Sequence, residues 1–101
     1  MPTPSERDAL KVLVLLDKTH TVKMGYAERT EFDTPNSMTA RDVARRLRLT
    51  EFRTQRLIDE MLKDGLVVKV GFMMFSNEPT YTATAARERA QAVNAERRGK
   101  S

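Results

Sequence analysis

The chain has 101 residues, 40% of them hydrophobic and 32% charged, with a net charge of +4, one histidine and no cysteine. That length bounds it to one domain, 1–101, with a small core, and the absence of cysteine excludes disulfides, thiolate nucleophiles and thiolate-held zinc. The apolar run 12–16 is too short to span a bilayer, and the opening Pro2, Ser5, Glu6 and Asp8 lack the basic start of a signal peptide, so a cytoplasmic protein with no membrane partner is expected.

Residues 1–4 and 98–101 are expected to be flexible ends. Ser5 and Asp8 have capping-box spacing and open a first helix over 5–18. Its apolar residues Ala9, Leu10, Val12, Leu13, Val14, Leu15 and Leu16 form more than one stripe, so the helix wants burial on two sides, against its own core and against a second copy of the chain. The same run also suits a buried strand; the cap and the length favour helix. Residues 19–37 read as an irregular loop or an added hairpin, with extended pieces at 21–24 and 30–33 around Gly25 and a turn at Pro35-Asn36-Ser37. His20 has no acid, nucleophile or ligand set at recognisable spacing and is read as a surface or helix-end residue.

The stretch 39–67 organises the rest. Thr39 is a cap answered by Asp42, and Met38 and Val43 sit at hydrophobic-staple positions. Val43, Ala44 and Leu47 share the inner face of a short helix. Arg48 and Leu49 form the turn. Thr50 caps a second helix, 50–64, with Glu51 at the positive end of its dipole. Thr54, Leu57, Ile58, Met61 and Leu62 recur at spacings of three and four and face inward, and Gly65 is the left-handed stop. Residues 66–75 then read as a strand with Val68, Val70, Phe72 and Met74 on one face, of which Phe72 and Met74 are expected in the core. Residues 76–79 have turn chemistry, and 80–83 pair back. Thr84 caps a last helix, 84–98, whose thin face of Ala86, Ala90 and Val93 suits close packing on the first helix or on a partner.

Ala44 at the helix crossing, Leu49 in the turn, Leu57 on the second helix, the strand opened by Gly65-Leu66-Val67 and the Tyr81-Thr82-Ala83-Thr84 run together resemble a winged helix-turn-helix of the MarR-like and PadR-like regulators. The resemblance implies a mostly α chain with a small β-hairpin (α+β), duplex DNA as partner, a transcriptional regulator as function, and a hairpin serving as the wing. Two positions depart from the pattern: Arg48 stands where those families usually place glycine in the turn, a left-handed residue costing about 1 kcal/mol, and Ala83 replaces a leucine.

The distribution of charge supports a nucleic-acid partner. Residues 41–56 hold six arginines against Asp42 and Glu51, a local charge of +4; the alternative is that these arginines solvate helix surfaces. With the apolar set of the second helix inward, Phe52, Arg56, Asp59 and Lys63 point outward, flanked by Arg53 and Gln55. Arg56 suits guanine, Gln55 adenine and Phe52 a thymine methyl. Thr39, Arg41, Arg45, Arg46, Thr50, Arg53 and Lys69 are phosphate-side candidates. The hairpin tip, 73–78, lacks a cation, which leaves a protein-binding module using Met73, Phe75 and Phe52 as the alternative. A homodimer through 5–18 and 84–98 is expected. No paired carboxylates, phosphate-cradling glycine loop, metal-ligand cluster or activated nucleophile is legible, so neither an enzyme nor a cofactor is expected.

Overall fold

Three helices begin on a threonine whose hydroxyl accepts the amide three residues on: Thr3 from Glu6, Thr39 from Asp42 and Thr50 from Arg53. Each satisfies one of the amides a helix start leaves without a partner, typically stabilising by about 1 kcal/mol. The computed structural model describes residues 3–24 and 30–99. In chain order they form α1 (Pro4–Leu16), β1 (Thr19–Met24), β2 (Thr30–Pro35), β3 (Met38–Thr39), α2 (Ala40–Leu47), α3 (Glu51–Lys63), β4 (Val67–Phe72), β5 (Pro79–Ala83) and α4 (Thr84–Gly99). The described residues are thus α+β, with four helices and two antiparallel sheets.

The cap of α1 is Thr3 and not Ser5, because Pro4 takes the first helical position, where its fixed φ and missing N–H cost nothing. The helix ends at Leu16, short of residue 18, as the chain turns into β1. Val12 and Leu16 are fully buried, whereas Leu10 and Val14 are exposed. The strand reading of this run is therefore set aside, and the apolar surplus lies outside. The buried Thr82 hydroxyl donates to the Leu16 carbonyl at 3.2 Å, satisfying a group the helix end would otherwise leave open.

A short connection joins α2 to α3. Arg48 adopts the left-handed conformation, φ 58°, and the Leu49 amide reaches back to the Ala44 carbonyl at 2.9 Å. The arginine occupies a geometry that glycine takes without a Cβ penalty. After α3, Gly65 does the same at φ 76°. Its amide bonds Leu62 O and the Leu66 amide bonds Met61 O, the paired closure of a Schellman motif. Thr54, Leu57, Ile58 and Met61 are buried on the inner face of α3, as their spacing predicts, and Leu62 packs partly against the same cluster. The core also takes in Val43, Val67, Tyr81, Ala83 and Ala86.

The three-stranded sheet has the order β3–β5–β4. As the middle strand, β5 has neighbours on both sides, and Thr80, Tyr81, Thr82 and Ala83 are all buried. The strand predicted over 66–75 stops at Phe72, and its register shifts between Lys69 and Gly71. Val70 is the extra residue, and one extra residue reverses which face the following side chains take. The shift returns Phe72 to the face of Val67 and Lys69, but it lies at the opposite end of the strand from the buried Val67 and is 58% exposed, so the core expectation for Phe72 fails; Met74 lies beyond the strand at 87%. The connecting turn spans 73–78 and not 76–79, closed by Met73 N to Glu78 O at 2.8 Å and Asn77 N to Met73 O at 3.0 Å, with Asn77 left-handed.

Residues 19–24 and 30–35 take the hairpin alternative: β1 and β2 pair from Thr19↔Pro35 to Met24↔Thr30. Gly25 and Tyr26 lie outside the described residues. The hairpin packs on α4, which touches β2 more than it touches α1. The attachment is polar. Asn94 accepts the Asp33 amide at 2.6 Å and donates to the Asp33 carbonyl at 2.8 Å, while Arg97 and Thr21 both donate to the Asp33 carboxylate at 2.8 Å. Arg89 to Asp17, at 3.0 Å, is the ion pair reaching back to the end of α1. Thr84 does not cap α4; its hydroxyl donates to Gly65 O at 2.6 Å.

The Thr21 hydroxyl, then the Arg97 guanidinium, hold the Asp33 carboxyl below the ordinary aspartate range, with the nearby His20 adding to the effect and desolvation opposing it. A carboxyl depressed in the folded state stabilises fully above its unfolded value, near about pH 4, and that contribution disappears as pH falls through the folded value. Asp33→Asn is therefore expected to be less stable than wild type at neutral pH, the gap narrowing as pH drops below about 4. Thermal unfolding across pH checks this; a pH-independent gap would assign the loss to packing instead.

Candidate nucleic-acid interface

The first turns of α2 and α3 and the turn of the β4–β5 hairpin meet in one region. Arg41 links all three: its Nε lies 3.3 Å from Glu51 at the start of α3 and 3.5 Å from Glu78 in the hairpin turn. Ser76 also donates to the Glu78 carboxylate, at 3.1 Å. On the neighbouring side Arg53 pairs with Asp8 of α1 at 2.6 Å. These are half-exposed pairs, each worth about 0–1 kcal/mol, so their main effect is on orientation.

Phe52 stands 75% exposed on the first turn of α3 and forms a wall of two shallow grooves. One, of about 330 Å³, runs between Arg41, Glu51, Gln55, Glu78 and Tyr81; the other, of about 350 Å³, lies along Ser5, Arg53, Arg56 and Glu60. The Arg56 guanidinium sits 6.0 Å from the Phe52 ring centre, a cation–π arrangement that gathers the two outward side chains into one projection.

The candidates expected on this surface divide into three groups. Arg45, Arg46 and Arg48 are exposed and make no ion pair among the described residues. Arg56 is also exposed, leaning on Phe52. Arg41 and Arg53 lie on the surface, but intramolecular carboxylates hold their charge. Thr39 is withdrawn: it is 2% exposed in the β3–β5 pairing, and its hydroxyl is spent on the cap. Thr50 is exposed and likewise serves its helix start. Gln55 donates to Asp59 at 2.9 Å and to the Tyr81 hydroxyl at 3.4 Å, so the donor half of an adenine contact is engaged within the chain. The Lys69 ammonium lies 4.5 Å over the ring of Phe72, the last residue of β4 before the hairpin turn.

Sequence reasoning did not find the carboxylates. Beyond Glu51, already counted within 41–56, Asp8 and Glu78 approach the arginine cluster from α1 and the hairpin turn, and no local spacing connects residue 8 with 53 or 41 with 78. The 51–63 helix carries three basic and three acidic side chains, so it has no net charge; the excess of positive charge belongs to α2 and the turn. No family model matches the chain, and no curated protein or solved structure was found to be similar to it.

Proposed function

We propose that this chain is a winged-helix DNA-binding module, most simply a transcriptional regulator, with α3 entering the major groove and α2 and the turn lying along phosphates. The observation that carries the reading is the arginine set Arg45, Arg46, Arg48 and Arg56, exposed and without ion pairs among the described residues, around a capped, outward-facing helix start. Phosphate contacts position such a helix and base contacts specify its sequence. Arg45, Arg46 and Arg48 have the positioning chemistry. Arg56, with Phe52, has the specifying chemistry: a guanidinium fork for guanine beside an apolar face for a thymine methyl. Arg41 and Arg53 act as struts for this surface.

A protein-binding module is the second reading, and the exposed apolar hairpin tip favours it. Support for a homodimer narrows to the exposed Leu10 and Val14 on α1, a small patch beside the roughly 800 Å² per partner of a standard interface.

Titration of a mixed-sequence duplex at about 50 and 200 mM salt tests the first reading, since neutralising several phosphates makes affinity fall steeply with salt. Binding at the lower salt is expected, with amide shifts concentrated at 45–56. No binding at low salt would transfer the surface to a protein partner.

A further inference from the structure

Two arginines of the cluster are answered by carboxylates, and the two cases differ. Arg41 divides its charge between Glu51 and Glu78, at 3.3 and 3.5 Å. Arg53 has one acid, Asp8 of α1, whose Oδ2 lies 2.6 Å from its Nη2. The Asp8 side chain is 16% exposed and that of Arg53 is 44% exposed, so the acid is the more deeply set of the two. Arg53 is also the one ion-pair partner of Asp8 among the described residues. Helix α1 reaches this place because it packs on α3, and Ser5, three residues before Asp8, lines the same groove as Phe52, Arg53 and Arg56.

Resting on the DNA-binding reading, we propose that Asp8 sets the affinity of that surface: its carboxylate takes the position at Arg53 that a DNA phosphate would otherwise occupy, and it holds this arginine out of the contact. Carboxylate and phosphate oxygens compete for the same guanidinium N–H groups. Transferring Arg53 to DNA would leave a largely buried carboxylate without its cation, which costs more than leaving an exposed one. The pair therefore stays closed, and the chain neutralises one phosphate fewer than its arginines allow.

The place of Arg53 gives the pair its consequence. It lies in the first turn of α3, next to Phe52 and three residues before Arg56, so a released guanidinium would reach the backbone beside the groove that α3 enters. Phosphate contacts carry no sequence information. Asp8 accordingly lowers affinity for cognate and random duplexes alike, and its effect can be read on DNA of any sequence.

The test measures binding of the full chain to a mixed-sequence duplex between about 50 and 200 mM salt. Asp8→Asn is expected to bind more tightly than wild type and to steepen the dependence of log affinity on log salt by about 0.9, the contribution of one phosphate. Its advantage should then be about 3.5-fold larger at the lower salt than at the higher. In an Arg53→Ala background the same substitution is expected to leave the slope unchanged. Equal steepening in both backgrounds would report one negative charge fewer and nothing more, and would overturn the proposal; so would no steepening in either. The DNA-binding reading survives both results. A second measurement needs no variant. As duplex is added to the wild-type chain, the side-chain Nε–H resonance of Arg53 is expected to keep its position while those of Arg45, Arg46 and Arg48 move. Movement of Arg53 with them would mean that it reaches phosphate despite Asp8, and would overturn the proposal alone. Absence of wild-type binding at low salt would overturn both.

Discussion

Replacing Ile58 by alanine is expected to lower the free energy of unfolding by about 2–5 kcal/mol. Ile58 is fully buried at the centre of α3, within the cluster that includes Val12, Leu16, Val43, Val67 and Ala86. Removing three carbons there forfeits their transfer free energy and leaves a void that several elements cannot collapse to fill. The total stability of a domain this size is about 5–15 kcal/mol, so the variant should have a clearly reduced urea midpoint with little change in slope. Phe52→Ala, nearly two turns earlier on the open side, should lie within about 0.5 kcal/mol of wild type. If both substitutions cost the same, the inward and outward faces of α3 are misassigned.

The second large effect is electrostatic. The triple variant Arg45→Ala, Arg46→Ala, Arg48→Gly is expected to flatten the dependence of log affinity on log salt by about 2.7, since each phosphate contact contributes about 0.9. Glycine is chosen at 48 because the backbone there is left-handed and would strain alanine. Arg53→Ala should change the slope much less, because Asp8 already compensates that charge. Equal effects at Arg53 and across the triple set would mean that the Asp8 pair opens on DNA. An unchanged slope in the triple variant would remove α2 and the turn from the contact.

What could be read from the chain was local. The caps at Thr39 and Thr50, the inward set of α3 and the left-handed stop at Gly65 follow from spacing and residue chemistry within a few positions, and they stand. The first helix was legible in kind but not in its cap, because Thr3-Pro4 and Ser5 compete within two residues for the same role. The strand after Gly65 was legible in kind but not in face: two adjacent valines at its start left the inward residue open, and Val67 is buried where Val68 and Val70 were expected to share the inner face with Phe72. The electrostatics of the candidate site were the least legible. Counting arginines over 41–56 gave a strongly basic patch, while Asp8 and Glu78 neutralise part of it from 45 and 37 positions away.

The two sheets do not hydrogen-bond to one another, and the β1–β2 ribbon is fastened mainly through Asp33 to Asn94 and Arg97 near the end of the chain. A two-stranded ribbon is marginal by itself in water, so it keeps its shape only while that end of α4 is wound. The pair should accordingly come undone as a cooperative subunit, with amide protons of 19–23 and 91–97 exchanging together and sooner than those of 57–61. On that view the molecule has a tight inner body and a detachable collar, and the collar can loosen while the surface proposed to meet DNA keeps its form.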